Sequence, residues 1–241
     1  MVAETHSSAG RDARAAAGGE TLAAKAATLV LVGGNSFAVL AQVAILPVIS
    51  TLTLHFAGQM QDGSVLTLFG SPIGPELASQ LMITLLGIGI MAGGPIMGFL
   101  AERIGNARLL QLSLALFGGS GLGCFVFDHA SALLVLRFIL GIAVAGISIS
   151  CYALTGARFE GEARARMLGY QSALVTIVGV LSLVGAGYLA DFAGWRAPFG
   201  LFLIAFPMFV VAAVAAWPKD ASQLTSSARP SFRDLRPLAP F

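Results

Sequence analysis

The sequence predicts an all-α integral membrane protein of six transmembrane helices with both ends on the cytoplasmic side. Three observations lead there. Of its 241 residues, 56% are hydrophobic and 11% are charged. A soluble domain carries about 25% charged residues, so this chain cannot cover itself with a solvated surface; its mean hydropathy is +0.84. The apolar residues gather into six runs, each near the ~20 residues that a membrane helix needs. Finally, the Lys and Arg residues fall almost wholly in alternate connections between those runs, as the positive-inside rule requires.

Residues 1–26, rich in Ala, Gly and Ser with mixed charge, read as a disordered cytoplasmic tail. The apolar run that follows outlasts the ~7–15 residues of a signal-peptide core and lacks a small-x-small cleavage site, so it reads as a retained first span. The six spans are expected at about 27–49, 77–101, 109–127, 131–157, 167–190 and 197–217. The runs are too long for membrane strands and lack their period-two alternation. The longest connection, 50–76, carries the turn signal QDGS (Gln61 to Ser64). Residues 218–241 are polar and Pro-bearing and read as a cytoplasmic linker.

Of 14 Lys and Arg residues, twelve fall on the inner side of this topology, Arg196 lies outside, and Arg137 lies within the fourth span. The net charge of +2 and the scatter of basic residues among short loops give no support to nucleic-acid binding. Cys124 and Cys151 fall in apolar runs near opposite faces of the membrane, too far apart to bridge.

Helices associate in lipid where small residues allow close approach. The second span holds Gly89 and Gly93, then Gly94 and Gly98; the third holds Gly119 and Gly123; the fourth holds Gly141 and Ala145, overlapped by Gly146. These are expected packing faces. Pro47 and Pro95 are expected to kink the first and second spans. The GGSG stretch, Gly118 to Gly121, offers a serine protease nucleophile no base, because His6, His55 and His129 all lie outside the expected spans. A glycine packing face is the better reading of it. No metal-ligand cluster and no nucleophile–base pair speak for an enzyme.

Two charges need explanation. Arg137 lies at depth, where a cation costs about 2.5–3.5 kcal/mol on insertion scales. It either holds helices together through backbone carbonyls or faces a cavity and meets a substrate or a proton-carrying group. Glu102 sits at the C-terminal end of the second helix, the negative end of its dipole, which disfavours a carboxylate by up to about 1 kcal/mol. It therefore wants a cation or a helix N-terminus nearby. Gly98, one turn earlier, would admit another helix, and Gly105 permits the reversal into the third span.

At this point the residues resemble a family. GFLAERIGNAR, Gly98 to Arg108, is similar to the loop between the second and third helices of the major facilitator superfamily of secondary transporters, G-x-L-a-D-r-x-G-r-k/r. Gly98, Leu100, Ala101, Arg103 and Gly105 match, and Glu102 stands for the acid. Asn106 and Ala107 depart from the basic pair, leaving Arg108. Leu133, Arg137 and Gly141 resemble the fourth-helix motif, with Leu140 in place of Gln. ARAR (Ala163 to Arg166) resembles the basic loop before the fifth helix, and LADFAGWRAPF (Leu189 to Phe199) the turn into the sixth. The fifth-helix Gly-Pro of drug/proton antiporters is missing; Gly179-Val180 is the nearest counterpart.

The resemblance implies the N-terminal six-helix bundle of a major facilitator fold. It implies a secondary transporter that moves a small organic solute by alternating access in a bacterial inner membrane, with export favoured over uptake. Glu102, Arg103 and Arg108 would form a cytoplasmic latch with a second six-helix half, and Arg137 would serve coupling or substrate binding. No cofactor is implied; a proton gradient is the candidate energy source. Asn35, Ser36 and Gln42 on the first span, Ser148 and Ser150 on the fourth, and Gln171 and Ser172 on the fifth are candidates for solute contact or for interhelical hydrogen bonds. No span holds an acid at depth; Glu76 and Asp128 lie near an outer edge. The alternative is a stand-alone six-span protein acting as a binding or structural subunit.

Overall fold

Because lipid tails give helices no hydrophobic reason to associate, their order is set by where backbones can meet. The computed structural model describes residues 22–61, 67–68, 71–215 and 217. Among these residues, six helices are long and apolar enough to cross a membrane: α1 (Leu22–Gly58), α2 (Pro75–Ile104), α3 (Asn106–Val126), α4 (Ala130–Arg158), α5 (Gly161–Ala193) and α6 (Ala197–Val214).

The first helix departs most from expectation. It begins at Leu22, inside the expected tail, and helical turns continue to Gln61, inside the expected outer loop. The extension is helical for a physical reason: Val48, Leu52 and Phe56 recur every fourth residue and are completely buried. The Thr53 and Ser79 hydroxyls, 2.8 Å apart, join it to α2. The helix is interrupted at Asn35 and again over Leu46–Val48, a 3-10 turn. Pro47 explains the second break, because it cannot donate to the carbonyl of Val43. The outer connection is shorter than expected, and within it β1 (Thr67–Leu68) pairs antiparallel with β2 (Ser71–Pro72). The turn after Gln61, most of the tail and residues 218–241 lie outside the described residues.

α5 starts at Gly161 rather than near Met167, as its charged first turns extend the helix beyond its apolar part. α6 runs as 3-10 helix over Ala197–Ile204 and as α-helix over Ala205–Val214. Pro207 lies at that change of winding, where its missing N–H deprives the Leu203 carbonyl of an α-helical donor.

α4 is the central element and packs most extensively against α2 and α3. Against α2 the contact is backbone to backbone. A Cβ placed on Gly141 would lie 2.9 Å from both Gly89 Cα and the backbone nitrogen of Ile90. One placed on Gly93 would lie 2.9 Å from Ile142 Cα and 3.0 Å from the Ala145 methyl. Gly146 similarly admits Ser113 of α3, and Gly34 of α1 admits the Cys151 sulfur. Gly118 and Gly121 of the GGSG stretch receive Phe206 and Phe202 of α6, while Ser120 donates to the Phe117 carbonyl.

Gly94 does not belong to this crossing. One residue beyond Gly93, it is turned about a hundred degrees around the helix, and a Cβ there would meet nothing within 4 Å; Gly98 and Gly119 are equally open. Gly123 packs on the Leu136 side chain rather than on backbone. Cys124 and Cys151 are buried and unbridged.

Gly141→Ala should therefore force α2 and α4 apart and cost about 1–3 kcal/mol, read as a lower unfolding midpoint in detergent micelles. Gly94→Ala should leave the midpoint unchanged within error. Gly105 turns the chain from α2 into α3 with φ 86° and ψ 149°, a region that is nearly exclusive to glycine. Gly105→Ala should cost a similar ~1–3 kcal/mol by the same measurement.

Candidate functional site

The helix ends sort into two groups. At the arginine-rich end, Arg158 of α4 donates to the Ala24 carbonyl of α1 at 3.4 Å, and Arg164 of α5 lies over Gly156. At the opposite end, Arg196 forms an ion pair with Asp128 and stacks on Trp195, its guanidinium carbon 5.3 Å from the ring centroid. Trp195 also meets His55 at 4.7 Å between centroids. The pair ties the α3–α4 connection to the α5–α6 turn. Asp128 is thus committed to a cation rather than standing alone at the outer edge.

Between these ends, Arg137 is completely buried. Its Nη1 donates to the Ala41 carbonyl of α1 at 2.9 Å. Its guanidinium carbon lies 5.2 and 5.6 Å from the ring centroids of Phe199 and Phe202 of α6, within cation–π range. Arg137 therefore sits in the core between α1, α4 and α6, not on an open face, and does not snorkel toward the outer surface. Its Nε and Nη2 have no hydrogen-bond partner among the described residues. One guanidinium nitrogen braces the bundle; the other two, with their three N–H groups, remain available at depth.

The other polar candidates divide. Asn35 donates from Nδ2 to the Tyr152 hydroxyl at 2.8 Å across α1 and α4, and Tyr152 is half exposed. Gln42, two turns beyond Asn35 on the same side of α1, is exposed, and Ser148 is half-buried one turn before Tyr152. These residues make the α1–α4 face of the bundle polar. Gln171 instead is buried; its Nε2 donates to Thr155 Oγ1 at 2.9 Å, and Thr155 donates to the Cys151 carbonyl at 2.7 Å, so Gln171 clamps α5 to α4. Ser36 and Ser150 are buried with unpartnered hydroxyls, and Ser172 is exposed.

Tyr152 was not among the sequence candidates, although its spacing of four from Ser148 places the two on one helical face. The His55–Trp195 contact had no sequence signal, because it depends on the unexpected extension of α1.

Where α2 turns into α3 at Gly105, Glu102 and Arg103 in the last turn of α2 and Arg108 in the first turn of α3 are all exposed. Arg103 folds back over Phe99, 4.5 Å from its ring centroid. Asn106, a departure from the basic pattern, is buried at the start of α3. Glu102 and Asn106 both engage in interactions within the described chain. Glu102 therefore has contacts of its own in this chain, at the exposed end of α2. No group of three or more His, Cys, Asp or Glu that could hold a metal occurs among the described residues.

The profile of the Major Facilitator Superfamily matches residues 31–240. The chain is 33% identical over 129 residues to the methylenomycin A resistance protein of Bacillus subtilis, covering 53% of this chain and 26% of that protein. It is 25% identical over 177 residues to the multidrug export protein EmrB of Haemophilus influenzae, covering 70% of this chain and 34% of that one. Among solved structures, the proton:xylose symporter XylE bound to 6-bromo-6-deoxy-D-glucose superposes with a TM-score of 0.70 at 16% identity, over 85% of this chain and 46% of that one. The partially occluded inward-open form of the Escherichia coli xylose transporter XylE matches with a TM-score of 0.70 over 52% of its chain. The chain thus spans about a quarter to a third of these curated relatives and about half of these solved neighbours. The sequence profile over most of the chain and the six-helix fold lead to one conclusion: this multi-pass membrane chain belongs to the Major Facilitator Superfamily, a family of transporters rather than enzymes.

Proposed function

We propose that this chain is the N-terminal half of a secondary active transporter in a bacterial inner membrane. It would move a small organic solute by alternating access, with proton-coupled export as the favoured form. The observation that carries the reading is the bundle's coverage of about half of each solved neighbour at a TM-score of 0.70. A transporter of two bundles related by an axis along the membrane normal binds its solute between them, near the midplane. The polar α1–α4 face, with Asn35, Gln42 and Tyr152, would form this chain's wall of that site. The large side chains exposed along α2 and α5, such as Met91 and Phe99 or Ile177 and Val184, would meet the second half or lipid. Export draws its support from the likeness to the methylenomycin A resistance protein and the multidrug export protein EmrB; proton coupling draws its support from the likeness to the proton:xylose symporter XylE.

Arg137 supports coupling through its chemistry. A buried cation with two unpartnered nitrogens is costly, and an anion or an added acceptor near Nε or Nη2 would relieve that cost. Occupancy there would then be felt by α1 through the Ala41 carbonyl. In the complete transporter, Arg137→Ala should lower solute flux driven by an imposed pH gradient in vesicles by about tenfold or more, the scale of a lost charged hydrogen bond. Arg137→Lys should retain part of it. Normal flux in a normally inserted Ala variant would leave Arg137 a structural brace alone.

The α2–α3 loop would act as the cytoplasmic gate, with Glu102 exchanging its present interactions for contacts to the second half when that side closes. Glu102→Gln in the complete transporter should raise labelling of engineered cysteines from the cytoplasmic side and lower flux, with insertion unchanged. Unaltered labelling together with unaltered flux would sink the gate assignment.

A further inference from the structure

α5 leans on α1 through side chains rather than backbone: a Cβ on Gly179 would lie 3.2 Å from a Val39 methyl, and one on Gly187 would lie 3.8 Å from the Pro47 ring. Side chains between the helices hold their axes apart, and a crevice of about 360 Å³ opens between α1, α5 and α6. That is the size of a small-molecule site. Its floor is Ser36, Phe37 and Leu40 of α1, each at most 5% exposed. Its rim carries Leu29, Leu181 and Ile204, each more than half exposed. The opening is therefore apolar and suited to entry from lipid. Among the described residues no ionisable side chain lines the crevice, and the hydroxyls that line it are Ser36 of α1 and Ser182 of α5.

Ser36 is the informative one. Membrane-helix hydroxyls usually satisfy themselves by donating to the carbonyl four residues back. Thr28, Ser79, Thr155 and Thr176 all do so in this chain. Ser36 Oγ is buried on the crevice floor and has no hydrogen-bond partner among the described residues. A buried hydroxyl left unpaired is unfavourable unless something supplies the missing bond.

We propose that this crevice binds an uncharged, elongated lipophilic molecule carrying one hydrogen-bonding oxygen, which enters from the bilayer and meets Ser36. The absence of charged groups on the walls excludes an ionic ligand, and the aliphatic walls suit a chain or alicyclic body. The site is separate from the polar α1–α4 face, and the inference does not depend on the transport reading.

The test is photolabelling of the protein in native membranes with two probes: a diazirine-bearing aliphatic methyl ketone, and the matching hydrocarbon without the oxygen. The ketone should label saturably, with adducts on α1 and α5 peptides that line the crevice. Ser36→Ala should weaken ketone labelling about tenfold, the scale of one lost hydrogen bond in an apolar site, and leave hydrocarbon labelling unchanged. Gly33→Leu should abolish labelling by both, since a side chain at Gly33 points toward the flexible end of Met208 on the crevice wall, 2.8 Å from its Cβ position. Equal labelling by both probes, insensitive to Ser36→Ala, would mean that the crevice holds hydrocarbon without recognising oxygen and would overturn the proposal. Labelling spread over all lipid-facing helices and unaffected by Gly33→Leu would overturn the site itself.

Discussion

The backbone contact between α2 and α4 is the constraint on which the rest of the bundle depends. Gly89, Gly93, Gly141 and Ala145 bring two helices together with almost no side chain between them. In lipid this closeness supplies, through dispersion contacts, the drive to associate that the hydrophobic effect supplies in water. It also leaves α4 with its remaining faces available to α3 and α1. Gly146 then takes the Ser113 side chain from α3, and Gly34 takes the sulfur of Cys151. Four helices thus assemble around one residue-poor seam, and α6 is fixed to them through the phenylalanines that enter the notches at Gly118 and Gly121.

That arrangement explains why a cation can sit at its centre. Arg137 lies one turn before Gly141, so the seam that brings α2 close also sets the depth and direction of the Arg side chain. It leaves the α2 side and reaches α1 and the aromatic rings of α6. The Ala41 carbonyl it meets is near the second interruption of α1, just before the turn that leads to Pro47. The carbonyl that Pro47 leaves without a helical donor is that of Val43, so the bond to Ala41 braces α1 beside the break and gives the buried guanidinium an acceptor there.

Much of this was legible in the residues. Composition and charge placement were enough for six helices, and repeated small residues marked packing faces on α2, α3 and α4 without saying which face met which. Spacing could not say which of Gly93 and Gly94 faced the partner, because adjacent residues on one helix differ only by rotation, and that rotation is set by the whole interface. Nor could it separate a polar residue on an open face from one between helices: Asn35 and Gln171 look alike in sequence, yet one bonds an exposed tyrosine and the other is sealed against Thr155. The start of α1 and its extension past Ile49 were hidden because they are more polar than a bilayer core, although the four-residue spacing of Val48, Leu52 and Phe56 carried the helical signal.

The two seams of α1 show how a few atoms divide a bundle into firm and loose parts. Toward α4, α1 offers Gly34 and the Ala41 carbonyl, and receives a sulfur and a guanidinium. Toward α5 it offers Val39 and Pro47, which act as spacers. Helices held apart by side chains have fewer atoms in contact and a larger gap behind those spacers. The buried polar clamp from Gln171 to Thr155 and Cys151 then carries more of the α5 attachment than it would in a close-packed pair. α5 is accordingly the helix with the least of its apolar stretch buried. Its position is set by a few polar and side-chain contacts, from the Gln171 clamp through Gly179 on Val39 to Gly187 on Pro47, with the crevice beside them, whereas α4 packs extensively against both α2 and α3.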